Sequence, residues 1–308
     1  MADPCRLDTL IAELQQTLQL SWLTQTRPGE LSATPAMRYW IGEYSPEQHH
    51  AIELVQRNNL PLFLHSLQQH SLYLPPNLAT AQPSLIVFTD DLGCDEETLS
   101  HLQHLGIAAL HSPLTAKLIL REVAYALADR VSHRIHHGVM LAIGEQGILL
   151  CGESGIGKSA LALELVSRGH GLVADDAPLL HRLPGSEQVY AVCPPLLADM
   201  LEVYALGIFN LGKLFGPKAT TALMPLHLVI ELVETVTATP QQCLQPFTGR
   251  TNILGVAIPY MQIPVNYPVN LALLVETVTK NHVLYKEGYD ASDILIQRQQ
   301  QLLNQQTI

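Results

Sequence analysis

The sequence predicts an α/β protein in which a small N-terminal α/β domain precedes a C-terminal domain built around a phosphate-binding loop. Three observations predict it. At 308 residues the chain is long for one domain, and 47% hydrophobic with 15% charged residues suffices for two sizeable cores. Short apolar runs alternate with helical patterns through the first half, as in parallel sheets. Past the middle, GESGIGKS (Gly152–Ser159) fits G-x-x-x-x-G-K-[ST], entered from the apolar run Ile148–Cys151 and left through a helical pattern. The expected division is 1–130 and 131–308, with the boundary near Ala128–Ser132.

In the first half, Asp8 is placed to cap a helix whose Leu10, Ile11, Leu14 and Leu18 keep one face. Tyr39–Tyr44 and Leu60–Leu64 read as short strands, with a helical pattern around Gln48–Arg57 between them. Pro83 precedes the apolar run Ser84–Thr89, which ends at Asp90 and Asp91. A helix around Glu97–Leu105, a strand at Ile107–Leu110 and a helix over Thr115–Ala128 follow. Asp90 and Asp91 stand at a strand end, where ligands of such sheets bind, and helix capping accounts for them equally well. The run HRIHHG carries His133, His136 and His137; with no further ligand cluster nearby, surface or hinge histidines are the simpler reading.

Composition excludes several functions. A net charge of −11 with only 17 basic residues does not suit a nucleic-acid binder, whose affinity needs clustered Lys and Arg. The five cysteines (Cys5, Cys94, Cys151, Cys193, Cys243) are scattered and lack metal-ligand spacing, which predicts reduced thiols in a cytoplasmic protein. The N-terminus shows no signal pattern, and no apolar run approaches the roughly eighteen residues of a membrane helix. A soluble intracellular protein is expected.

The second half carries the chemistry. Gly152, Glu153, Ser154, Gly155, Ile156, Gly157, Lys158 and Ser159 form the candidate nucleotide loop, whose glycines let backbone N–H groups face a phosphate. Lys158 would neutralise the β and γ phosphates and Ser159 would sit on Mg²⁺. The following helix, Ser159–Arg168, puts Leu161 and Leu165 on one face, pairs Glu164 with Arg168 at i,i+4, and stops at Gly169. Leu172–Ala174 is a short strand delivering Asp175 and Asp176. Phosphoryl transfer needs one acid to hold metal and another to orient or deprotonate the attacking oxygen, and two adjacent carboxylates raise the pKa of one. A turn or helix-cap role for the pair is the alternative.

In Leu201–Gly216 (LEVYALGIFNLGKLFG), Glu202 is the lone acid, either a second Mg²⁺ ligand or a solvated strand position. Leu228–Leu232 and Leu271–Val278 read as strands carrying Glu231 and Glu276 at a sheet edge or in satisfied polar positions. Asp290 caps a final helix whose Ile294, Leu295 and Leu302 face a core or a neighbouring subunit; beyond Ile296 it is Gln-rich.

Several pieces together resemble the bacterial HPr kinase/phosphorylase family over nearly the whole chain. They are His137–Gly138, GESGIGKS, RGHGLVADD (Arg168–Asp176), LEVYALGIFN (Leu201–Asn210), ILGVAIP (Ile253–Pro259) and GYDA (Gly288–Ala291), in the family's order and spacing. The resemblance implies an ATP- and Mg²⁺-dependent protein-serine kinase acting on HPr or an HPr-like phosphocarrier protein. It also implies the reversal by phosphorolysis releasing pyrophosphate, a homohexamer, and a kinase domain related to phosphoenolpyruvate carboxykinase. By matching position, Asp175 and Asp176 are the paired aspartates, His137 the histidine that tunes the base, Lys158 the phosphate ligand, and Ser159 and Glu202 the Mg²⁺ ligands.

Four positions depart from that family. Ala160 stands where a Glu usually follows the loop's Ser. EVYA (Glu202–Ala205) replaces EIRG or EVRG, Cys243 occupies the place of the family's catalytic Arg, and PVNYPVN (Pro264–Asn270) lacks both arginines of PVRPGRN. Arg250 is the nearby candidate substitute for the catalytic Arg. Because arginines neutralise the transferring phosphate, a nucleotide-binding sensor with reduced or lost transfer is the alternative to an active kinase.

Overall fold

A computed structural model describes residues 7–28, 37–45, 49–68, 85–235 and 249–306. Cys5, Gln48, Pro83 and Cys243 lie outside the described residues. The chain divides into two compact units, Met1–Arg134 with Leu179–Glu187, and Ile135–Pro178 with Gln188–Ile308.

The first unit contains α1 (Leu7–Leu14), β1 (Ser21–Trp22), β2 (Met37–Glu43), β3 (His49–Val55), α2 (Leu60–Gln68), β4 (Leu85–Phe88), α3 (Glu96–His104), β5 (Ala108–His111), α4 (Ala116–Ala128) and β6 (Ser132–Ile135). Its sheet runs β1-β5-β4-β3-β2, with β2 to β5 parallel and β1 antiparallel on β5. Every residue of β4 is buried, as expected of a parallel strand covered on both faces. Leu10, Ile11, Ile119 and Val123 from α1 and α4 meet Ile52, Val87 and Leu110 on one face. Phe63, Leu67 and Leu102 from α2 and α3 pack on Val55, Ile86 and Phe88 on the other. The caps of α3 and α4 are Asp95, accepting from Thr98 N, and Thr115, accepting from Leu118 N.

Three expectations for this unit are corrected. Residues 49–55 form a strand and 60–68 a helix, the reverse of the sequence reading. Residues 51–55 are buried without alternation, so β3 shows none of the period-two signal that marks a half-buried strand. In α2, Pro61 occupies the first turn, where a missing N–H is tolerated. Asp8 lies inside α1, accepting from Thr9 N, rather than ahead of it. Asp90 and Asp91 make the left-handed turn after β4 (φ 59° and 54°), and the helix cap expected of them is supplied by Asp95.

The second unit contains β7 (Val139–Ile143), β8 (Gln146–Gly152), α5 (Lys158–Ser167) and β9 (Gly171–Ala174). After β10 (Leu179–Arg182), which lies beside β6, it continues with β11 (Val189–Val192), β12 (Met200–Val203), β13 (Gly207–Asn210), α6 (Leu211–Phe215), β14 (Leu223–Val233), β15 (Arg250–Ile253), β16 (Val256–Pro264), α7 (Leu271–Lys286) and α8 (Ala291–Gln306). β14 runs parallel to β8 on one side; on the other it pairs with β11 near its start and with β16 near its end. β7 is antiparallel to both β8 and β9, so its start lies beside their ends. Leu161, Leu165 and Val166 of α5 and Ala272 and Val275 of α7 cover Ile148, Leu150, Ile230 and Leu232 of the sheet.

Leu271–Val278 is the first half of α7, not a strand. Asn270 caps it by accepting from Leu273 N, and its buried residues Ala272, Val275, Thr279 and His282 follow helical spacing. Glu276 therefore leaves the sheet and reaches α5. Its carboxylate accepts from Arg168 Nε (2.9 Å) and Nη2 (2.6 Å) and lies 2.9 Å from His170 Nε2. Arg168 makes this two-pronged bond instead of the expected pair with Glu164, which accepts from Asn270 Nδ2 at 2.6 Å. Gly169 (φ 98°) does end the helix, and Asp290 caps α8 through Ser292 N and Asp293 N. Leu295 and Leu302 remain exposed in this unit.

The Arg168 hydrogen bonds hold the Glu276 carboxyl at about 2, well below its ordinary 4.5. A depressed carboxyl stabilises the fold above its unfolded value, so this contribution is complete above about pH 4.5 and disappears as pH falls towards about 2. Glu276→Gln is expected to cost about 1–2 kcal/mol at neutral pH. The deficit, measured by urea denaturation, should shrink on acidification, and an equal deficit at every pH would contradict the clasp.

Candidate active site

Gly152 ends β8 at φ 136°, where an added Cβ would lie 2.6 Å from Leu232 O. The neighbouring strand β14 thus leaves room only for glycine at the entrance to the loop. Gly157 (φ 105°) caps α5 with no side-chain bond, which leaves the first N–H groups of the helix facing the loop. Lys158, the first residue of α5, is 8% exposed, and its ammonium donates to Gly152 O and Glu153 O at 2.9 Å each. The charge is therefore held across the loop by the loop's own carbonyls.

Asp175 follows β9 and is also 8% exposed. Its Oδ2 accepts the Glu202 amide at 2.9 Å and its Oδ1 the Ser159 hydroxyl at 3.4 Å. Burial pushes its carboxyl above the ordinary range and the Asp176 charge adds to this, against the Glu202 amide and the Ser159 hydroxyl. Asp176 adopts a left-handed conformation (φ 61°). It stands 2.8 Å from His137 Nδ1, both side chains being largely exposed. The two adjacent acids thus face different surroundings, one enclosed beside Ser159 and one in solvent beside a histidine.

Of the residues singled out in the sequence, Lys158, Ser159, Asp175, Asp176, His137 and the Glu202 backbone come to one sheet edge. Arg250 does not. It pairs with Pro259, one residue from Tyr260, whose ladder partner Val229 pairs with Leu149. That is four residues short of the ladder position of Gly152, about 13 Å along the strands. Its charge is felt instead by His282 near the end of α7. Tyr204, at 94% exposure, and Val269 put no charge at their positions, and Asn266 donates to Glu234 O at 3.4 Å. His133 and His136 turn Nδ1 to backbone carbonyls of Val131 and His137. Glu231 is satisfied by the Tyr260 hydroxyl and by Gln262 Nε2.

One contact is missed by the sequence reading altogether. Glu202 stands out there for its carboxylate, whereas the group that touches Asp175 is its backbone N–H, to which no residue type is a clue. The oxygen donors that meet here, the Ser159 hydroxyl and the Asp175 carboxylate 3.4 Å from it, suit a hard cation that shares its coordination with phosphate. Glu202, whose side chain is exposed, supplies the amide bound to Asp175. Among the described residues no group of three or more His, Cys, Asp or Glu is arranged to hold a metal by itself.

A family model described as the HPr Serine kinase C-terminal domain matches residues 127–299. An HPr kinase/phosphorylase of Stenotrophomonas maltophilia (strain K279a) is 35% identical over 231 residues, covering 74% of this chain and 73% of that one. One of Nitrosomonas europaea is 36% identical over 224 residues, with 72% and 69% covered. The solved structure of the Hpr(Ser) kinase/phosphatase from Coxiella burnetii aligns with a TM-score of 0.46 at 36% identity, over 50% of this chain and 99% of that one.

The close approach of Leu232 O gives a test of the loop entrance. Gly152→Ala should destabilise the protein by about 2 kcal/mol or more, through strain at φ 136° and the backbone clash. Thermal denaturation reads it, and an unchanged Tm would show that the loop has room there.

Proposed function

The chain belongs to the HPr kinase/phosphorylase family, and from that premise we propose that it transfers the γ-phosphoryl group of ATP to a serine of HPr or an HPr-like phosphocarrier protein. The observation that carries this reading is the convergence of the Lys158 loop with a buried Asp175, bonded to Ser159, at one sheet edge. The loop amides and Lys158 bind the phosphates. Asp175 accepts the proton of the serine hydroxyl as its oxygen attacks, and the Glu202 amide holds the carboxylate in place. Asp176 and His137, at the exposed mouth, orient the incoming serine and steady the charge beside Asp175. Ser159 and Glu202 would hold Mg²⁺, which when bound offsets charge on the transferring phosphate.

The same residues support the reverse process. Inorganic phosphate attacks the phosphoserine, Asp175 returns its proton to the departing serine oxygen, and pyrophosphate is released. Tyr204, Asn266 and Val269 leave this arm without the arginines of the family pattern, so it should be the slower one. The exposed apolar side chains of Tyr204, Leu206 and Ile208 are a surface that self-association, including a hexamer, would cover. Cys94, Cys151 and Cys193 are free thiols, in keeping with a cytoplasmic setting. Among the described residues no helix is long and apolar enough to cross a membrane.

Incubation with labelled ATP, Mg²⁺ and an HPr-type protein should yield phosphoserine, and added inorganic phosphate should remove it with pyrophosphate released. Tight ATP binding with no labelled acceptor would instead mean a nucleotide sensor. Lys158→Ala should weaken ATP binding roughly tenfold to a hundredfold; unchanged affinity in calorimetry would remove the loop from the nucleotide site.

A further inference from the structure

Asp199 belongs neither to the phosphate loop nor to the carboxylate pair, yet it ties together the segments that meet along β9. It stands directly before β12 at φ 63°, a left-handed conformation that Asp and Asn tolerate better than most residues. Its Oδ1 accepts the Thr220 hydroxyl at 2.6 Å. Thr220 is buried and forms a parallel bridge with Leu172 of β9, while the next residue, Thr221, donates its N–H to Leu172 O at 2.7 Å. The Asp199 carbonyl accepts from Leu211 N at 2.8 Å, which fastens the start of α6 to the same point. Met200, next in sequence, pairs with Asn210 and opens the β12–β13 hairpin.

The hairpin is thus held against β9 at two places. Through Thr220, Asp199 is fixed beside Leu172; three residues further along each chain, Glu202 N meets Asp175 Oδ2. The equal spacing, 172 to 175 and 199 to 202, makes the first attachment the anchor that sets the second. We propose that Asp199 is a positioning residue for phosphoryl transfer, acting through the Glu202 amide on the orientation of the Asp175 carboxylate. This rests on the reading of Asp175 as the group that takes the serine proton. A carboxylate swung out of line loses rate steeply, while the phosphate loop on the other side of β7 is left as it was.

Three variants separate the contributions. Asp199→Asn keeps both the left-handed backbone and an acceptor for Thr220. Asp199→Gly keeps only the backbone, and Thr220→Val removes the donor while keeping the shape. The Gly and Val variants should lose roughly tenfold or more in kcat, with KM and Kd for ATP changed by less than about twofold, and the Asn variant should retain most of the rate. Hydrogen exchange over residues 200–203 should quicken in the Gly and Val variants and not over 152–159. The proposal is overturned if kcat holds in both variants, if ATP affinity falls in step with it, or if exchange over 200–203 is unaltered. Exchange needs no turnover, so it decides the anchor even if the wild-type protein transfers no phosphate, which would count against the activity itself.

Discussion

β7 is hydrogen-bonded on both sides and runs against each neighbour, with Val139 opposite Leu150 of β8 and Met140 opposite Ala174 of β9. The chain entering β7 and the chains leaving β8 and β9 must therefore meet at one edge. His137 comes from the first, the phosphate loop from the second, Asp175 and Asp176 from the third. All five residues of β7 are buried, so a slip by one residue would exchange the side chains packed on its two covered faces and disrupt the packing of both. Residues nearly forty positions apart in sequence are assembled by this ladder, without a loop having to fold back over the sheet.

Electrostatics then divides the labour at that edge. Lys158 is enclosed and bonded to two carbonyls that close the loop beneath it. Asp175 is enclosed too, and burial lifts its carboxyl above the ordinary range, the direction that makes a carboxylate a better proton acceptor. Asp176, left-handed at φ 61°, holds its charge largely in solvent and beside His137. Its charge still adds to the lift of the Asp175 carboxyl.

Much of this is legible in the sequence where a signal is local. The loop, the strand before it, the helix after it and the two acids at a strand end are short-range patterns, and they lie where the spacing puts them. Periodicity fails where burial erases it. β3 is covered on both faces, and the apolar run in the first eight residues of α7 hides the later Thr279 and His282 that complete its buried stripe. Long-range partners are beyond reach, since Arg168 has a plausible neighbour in Glu164 and only the packing of α7 on α5 brings Glu276 to it. Arg250 is close in sequence to Cys243, the place of the family's catalytic Arg, yet the β15–β16 pairing carries it down the sheet. The Glu202 amide carries no sequence signal of any kind.

The central claim is that nucleotide holding and proton handling reside in separate groups at this edge. Asp175→Asn, which keeps size and hydrogen-bonding capacity but cannot take a proton, tests it most directly. The measurements are ATP affinity by calorimetry and single-turnover transfer to HPr. The account predicts affinity within a few-fold of wild type and transfer slowed by about a hundredfold or more. Transfer near the wild-type rate would contradict it and move the base elsewhere.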